Sequence, residues 1–284
     1  MSPTHAGGAG VIRPPSMATH SIPAADVHLT IHDQGAGLPL LLLHGMWCDH
    51  HDFDAVVDDL SGEYRTIGPD LRGHGGSGVP ARSWTVNDLA GDMLQVLDFL
   101  GIDAAVVVGH SLGGMAALQM ALTAPSRLRG LVLLSTSAEA EKPERRSQLS
   151  LMSMTINMGG MNRWLAGRVA RAFFSPAFVR RSPGRVRAWR EGLRAMPKRA
   201  LLQALEAVRD RPSVMDRLDT LGMPALVMGL REDPIADPAQ AERMARRLGH
   251  ARLLMLPGGG HALPMEHPEA LTRALHQFLS DHVR

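Results

Sequence analysis

The chain predicts an α/β fold: a mainly parallel sheet with helices on both faces and a helical cap inserted in its second half. Three observations carry that expectation. Short apolar runs alternate with helix-like patterns along most of the chain, and the stretch between Ser135 and Pro224 has no strand signal. One apolar run, "AAVVVG", drives straight into Gly-His-Ser-Leu-Gly-Gly before a small-residue helix pattern resumes.

Taken in order, residues 1–25 are rich in Gly, Pro, Ser and Thr and read as a flexible leader, without the basic head and apolar middle of a signal peptide. The alternating "VHLTI" (27–31) reads as a half-exposed strand and "LPLLLLHG" (38–45) as a buried one. "YRTIGPD" (64–70), "AAVVVG" (104–109), "LRGLVLLS" (128–135), "PALVMG" (224–229) and "ARLLMLPG" (251–258) supply the other strands. Among the helices, "TVNDLAGDMLQVLDFLGI" opens with Thr85 and Asp88 at capping-box spacing, puts Leu89, Met93, Leu97 and Leu100 on one face, and ends near Gly101. "DPAQAERMARRLG" and "PEALTRALHQFL" follow the same logic near the end. A structureless loop as long as the strand-free stretch is implausible, so residues 139–218 read as a helical cap on a core of 26–138 and 219–284. The methionines at 152, 154, 158 and 161 read as adaptable packing within it.

Composition narrows the functional classes. With 284 residues, 45% hydrophobic and 20% charged, the chain has the make-up of an ordinary globular protein. It contains no uncharged apolar run long enough for a membrane span, and the expected location is cytoplasmic. Cys48 is the only cysteine, which excludes an intrachain disulfide and a thiolate zinc site. Residues 141–217 carry 17 Lys and Arg against 6 Asp and Glu, although the whole chain is only +2. No recognition motif accompanies that basic segment, so nucleic acid is not an expected partner. The run "DHHDFD" (49–54) lacks the His-x-His-x-Asp-His spacing of metallo-hydrolases and reads as an exposed helix start; neither metal nor organic cofactor is expected. The sequence does not distinguish a monomer from a homodimer.

The chemistry concentrates in the forced turn. Gly109 and Gly113 flank Ser111, and side chains there would obstruct a tight strand-to-helix reversal that lifts the hydroxyl clear at the strand's carboxyl end. Ser111 then sits at a helix N-terminus, where free amides and the helix dipole favour developing negative charge. A serine hydroxyl needs a base, and the base needs an orienting acid. His261, in the Gly-rich loop "PGGGHALPMEHP" after the last strand, is the expected base; His267 reads as a capping or surface residue. Glu232, Asp233 and Asp237 follow the penultimate strand and are the acid candidates, with Asp233 preferred and Asp237 explicable as a helix N-cap before Pro238. Two backbone amides must converge to hold an oxyanion. Leu112 is the first, and Met46, ahead of Trp47, is preferred for the second. Trp47 and Trp164 are expected pocket walls. His44 and His110 are expected to brace the loops they begin, with His110 also a pocket candidate.

"LLLLHGMW", "DLRGHGGSG" (70–78), "GHSLGG", "GLREDP" and "GGGHALPMEHP" together resemble the α/β-hydrolase-fold serine hydrolases over roughly residues 26–281. The resemblance implies a triad in the chain order serine, acid, histidine, hence Ser111, Asp233 and His261. "ARAFFSPAFVRR" followed by "ALEAVRDRP" is similar to the lid of 3-oxoadipate enol-lactone hydrolases and related small esterases and lactonases. A serine nucleophile argues against the alkyl-ester chemistry of haloalkane dehalogenases and epoxide hydrolases. The implied reaction is hydrolysis of a small-molecule ester or lactone. The arginines at 163, 168, 171, 180, 181, 185, 187, 190 and 194 offer guanidinium groups to a carboxylate on that substrate, although most are expected on solvated helix faces. C–C bond hydrolysis, perhydrolysis with the same triad, and a repurposed lyase or cyclase stand as alternatives.

Overall fold

The strands are Ala18–Ala24 (β1), Val27–Gln34 (β2), Pro39–Leu43 (β3), Arg65–Pro69 (β4), Ala105–His110 (β5), Leu128–Leu134 (β6), Ala225–Leu230 (β7) and Arg252–Leu256 (β8), with β2 to β8 on the runs read as strands. The computed structural model describes residues 17–283 and joins these strands into one sheet in the order β1-β2-β4-β3-β5-β6-β7-β8. β1 to β2 and β2 to β4 are antiparallel; every other pairing is parallel.

The leader reading needs correction at β1. Residues 18–24 pair with β2 along their whole length, with Ile22 and Ala24 turned into the core. Polar residues and Pro23 hide this strand in the sequence, and Pro23 is tolerated because β1 is the sheet edge. The rest of the leader, residues 1–16, lies outside the described residues.

The central strands alternate their side chains between two cores. Leu41, Leu43, Val107, Leu131 and Leu133 enter one cluster, while Leu40, Leu42, Val106, Val108, Val132 and Leu134 enter the other. Burial on both faces explains why these runs read as continuously apolar. Helices α1 (Asp54–Leu60), α2 (Val86–Phe99) and α3 (Leu112–Thr123) follow the early strands. The capping box read from Thr85 and Asp88 is present at the start of α2. Helices α4 (Pro143–Gly159), α5 (Arg163–Phe173), α6 (Pro176–Arg181), α7 (Pro183–Ala195) and α8 (Lys198–Asp210) fill the interval between β6 and β7. The chain closes with α9 (Pro238–Leu248), the short α10 (Leu263–Glu266) and α11 (Pro268–His282). α2, α3 and α9 cover one face, α1 and α11 the other. Of the methionines singled out above, Met161 is buried and Met158 is 87% exposed. No helix among the described residues is long and apolar enough to cross a membrane.

The loop after β4, "DLRGHGGSG", is fastened by polar side chains. Arg72 makes a bidentate pair with Asp92 of α2, both contacts at 2.6 Å. His74 Nδ1 donates to the Arg72 carbonyl at 2.9 Å, and complete burial, with the nearby His44, pushes its pKa down to about 3. The fold therefore holds His74 neutral, whereas the unfolded chain takes up a proton near its ordinary value of 6.5. Between those pH values the unfolded state binds more protons, so unfolding free energy falls on acidification, with His74 contributing up to about 1.4 kcal/mol per pH unit. Denaturant titrations from pH 7 to pH 4 are expected to show a shallower loss of stability in His74→Gln than in the wild type.

Candidate active site

The turn at Ser111 is set by backbone crowding. A Cβ on Gly109 would strike the backbone of Gly113 and Gly114, and one on Gly113 would strike the Leu43 carbonyl at the end of β3. α3 can start this close to β3 and β5 only with glycine at both positions, and the reversal leaves Ser111 at φ 50°, ψ −113°. A non-glycine residue in that region is strained by about 1–3 kcal/mol. Three bonds hold it there: Ser111 N donates to the Leu134 carbonyl at 2.9 Å, and its own carbonyl accepts from Thr136 Oγ1 at 2.6 Å and Met115 N at 3.1 Å.

His261 and Asp233 complete a line of side chains. Ser111 Oγ lies 2.8 Å from His261 Nε2, and His261 Nδ1 lies 2.9 and 3.1 Å from the two Asp233 oxygens. Of the three acid candidates, Asp233 alone reaches the histidine; Glu232 is exposed and Asp237 caps α9 by accepting from Ala239 N at 3.0 Å. Burial alone would raise the Asp233 pKa, but the charge and hydrogen bond of His261, with the amides of Ala236 and Ile235, outweigh it and hold the carboxyl below its ordinary range. An ionised, oriented carboxylate against Nδ1 leaves Nε2 free to take a proton from the serine.

The second loop passes close to Ser111, since a Cβ on Gly45 would lie 3.5 Å from the Ser111 Cβ. Gly45 to Cys48 form a turn closed by Cys48 N donating to the Gly45 carbonyl at 3.3 Å, with Trp47 at φ 62°. Gly113 N is taken up by the His44 carbonyl at 3.1 Å, whereas the amides of Met46 and Leu112 donate no hydrogen bond among the described residues. His44 accepts from Leu71 N at 2.9 Å through Nε2 and donates from Nδ1 to the Gly45 carbonyl, tying this turn to the loop after β4.

Two pocket expectations are corrected. Trp164 is 64% exposed at the start of α5, with the Arg168 guanidinium 5.1 Å from its ring centre, and it is not on the wall of the cavity that Trp47 lines. His110 is fully buried behind the triad, where Nε2 donates to the His261 carbonyl at 2.8 Å. Trp47 does line a cavity, about 690 Å³, bounded also by Asp49, Asp54, Arg185, Trp189 and Met196. Its walls reach Met265 and include neither Ser111 nor His261. Arg185 is the one cap arginine on its wall, which Asp49, Asp52 and Asp54 also line; its guanidinium donates to the His51 carbonyl at 3.4 Å.

Glu266 escaped the sequence reading. Buried in α10, it accepts from Gly260 N at 3.1 Å and Ser175 N at 2.9 Å through Oε1, and from the Ser175 hydroxyl through Oε2. His261 N adds a bond to the Phe173 carbonyl at 2.7 Å, and the Phe173 ring packs edge-on against the His261 ring. The histidine loop is thus pinned to the end of α5. Glutamate five residues past a histidine in a Gly-rich loop was the available signal, but its partners lie in the cap, distant in sequence.

Residues 39–268 match the α/β hydrolase fold family, and the chain belongs to it. Among curated relatives, the pimeloyl-[acyl-carrier protein] methyl ester esterase of Nitrosomonas europaea is 31% identical over 254 residues, covering 86% of this chain and 96% of that protein. Among solved structures, a thermophilic esterase from Thermogutta terrifontis, with malate bound, aligns with a TM-score of 0.86 at 29% identity over 94% of this chain and all of that one, a coverage of 100%. The enol-lactonase of Burkholderia xenovorans aligns at 0.85 and 25% identity over 92% of this chain and 100% of that one.

Glu266→Ala is expected to free the His261 loop from Ser175 and slow the reaction of Ser111 with a fluorophosphonate by about ten- to a hundredfold. Stopped-time intact-mass measurements give that rate, and an unchanged rate would contradict the role assigned to Glu266.

Proposed function

We propose that the protein is a serine hydrolase that cleaves a carboxylic ester or lactone of a small-molecule substrate through an acyl-enzyme. The observation that carries this reading is the continuous Ser111–His261–Asp233 line, at 2.8 and 2.9 Å, with the amides of Met46 and Leu112 unengaged among the described residues. Ser111 Oγ attacks the carbonyl carbon while His261 Nε2 takes its proton. Asp233 stabilises the imidazolium, and the amides of Met46 and Leu112 receive the oxyanion. His261 returns the proton to the leaving alkoxide. Water, deprotonated by the same nitrogen, then releases the acid. The helices of residues 139–218 serve as the cap that selects the substrate.

With the cavity walled by Trp47, the residue after Met46, taken as the seat of the substrate's non-reacting part, its charge favours an uncharged ester over a carboxylate-bearing one. One guanidinium, Arg185, shares that wall with Asp49, Asp52 and Asp54, and none of the other cap arginines lines it; Arg181, for example, donates to the Glu266 carbonyl at 2.8 Å. Belonging to a family with esterase and enol-lactonase members supports the same reaction class.

Rates on paired panels of neutral and carboxylate-bearing esters and lactones test this. Neutral esters are expected to give the higher kcat/KM, and Ser111→Ala is expected to lower it by about a thousandfold or more with the fold intact by circular dichroism. Full activity in Ser111→Ala would overturn the mechanism, and a preference for anionic substrates would overturn the specificity.

A further inference from the structure

The cap carries apolar side chains on a face that the core does not use. Four of the eight large hydrophobic side chains that stand exposed among the described residues, Leu151, Met154, Met158 and Trp164, lie on α4 and at the start of α5. Residues 151, 154 and 158 follow helical spacing, so they form a single row on α4, about 10 Å from end to end at 1.5 Å per residue. The opposite face is the one that packs: Leu149 and Ile156 are buried, and α4 lies against α8. Trp164 extends the row, because α5 begins directly after α4 and Gly159 lies against Asn162, the residue that caps α5. A single exposed apolar side chain is ordinary, whereas a row with a tryptophan at its end marks a surface that is covered in use.

The charge around the row identifies what covers it. From residue 151 to residue 199 the chain carries eleven Lys and Arg against one acid, Glu191. Arg163 precedes Trp164, the Arg168 guanidinium lies 5.1 Å from the Trp164 ring centre, and Lys198 Nζ donates to the Asn157 carbonyl at 3.2 Å, next to Met158. All three cations are exposed. The ion pairs within the cap are made by other residues, Arg146 and Arg209 with Asp210 and Arg211 with Glu141. Apolar side chains raised among cations fit an anionic bilayer, whose phosphates attract Lys and Arg while the headgroup boundary takes up Leu, Met and Trp. Met158, 87% exposed, stands out from the surface instead of lining a groove. Such a row needs a soft medium and no matching shape, which favours lipid over a folded partner.

We propose that the cap docks on an anionic lipid surface, with the α4 row and Trp164 entering the headgroup boundary and Arg163, Arg168 and Lys198 meeting lipid phosphates. α4 lies flat in that boundary, because the row runs along its length. The contact is peripheral and leaves the buried faces of α4 and α5 in place. It is independent of the chemistry at Ser111.

The test uses the full-length protein and lipid vesicles. Co-sedimentation with phosphatidylglycerol vesicles is expected to be at least about tenfold stronger than with phosphatidylcholine vesicles, and to weaken about tenfold as sodium chloride rises from about 50 to about 500 mM. Binding is expected to shift tryptophan emission to the blue in the wild type and not in Trp164→Phe. The double variant Leu151→Glu, Met158→Glu changes only exposed positions; it is expected to keep the wild-type circular dichroism and to bind phosphatidylglycerol about tenfold or more weakly. Phe99→Ser, at an exposed apolar side chain on α2, is expected to bind as the wild type does. No binding to either vesicle, equal binding to both, undiminished binding by the folded double variant, or an emission shift that persists in Trp164→Phe would overturn the proposal. A dimer in analytical ultracentrifugation that the double variant abolishes would also overturn it, since the row would then belong to a second copy of the chain.

Discussion

The close approach of α3 to β3 and β5 is the constraint on which the rest of the site depends. Glycine at 109 and 113 lets backbone pass where a methyl group would collide with carbonyls, and the only path left for Ser111 between them is a left-handed one. The strain is local, and the surrounding bonds to Leu134, Thr136 and Met115 sustain it. One result is geometric: the hydroxyl projects from the sheet edge toward His261. Another is electrostatic, since the first amide of α3, that of Leu112, donates no hydrogen bond among the described residues.

The remaining parts are held by polar contacts between loops. His110 supports the His261 carbonyl from below, and Glu266 with Phe173 grips the same loop from the cap side. His44 joins the Met46 turn to the loop after β4, which Arg72 and Asp92 anchor to α2. Buried polar groups of this kind cost free energy when unpaired and confer rigidity when paired. The placement of the proposed base therefore depends on the cap as well as the core.

The strands and the grouping of Ser111, His261 and Asp233 were legible for physical reasons. Burial on both faces makes β3, β5, β6 and β7 continuously apolar, and the glycines around Ser111 mark a close approach that few folds require. Asp233 could be preferred over its neighbours because Asp237 had an ordinary capping role. β1 was not legible, since Pro23 and its polar neighbours resemble a linker and its pairing with β2 is a tertiary fact. Trp164 and His110 were misplaced for a related reason: residue type suggests what a side chain can do, and only packing decides which way it faces. The contacts of Glu266 join distant segments, which periodicity and spacing do not encode.

The central claim is that this geometry makes Ser111 a nucleophile. Intact-protein mass after treatment with a fluorophosphonate, followed by peptide mapping, tests it whatever the natural substrate. The account predicts a single adduct on the peptide containing Ser111, formed by the wild type and absent from Ser111→Ala. An unmodified wild type, or an adduct that persists in the variant, would contradict it.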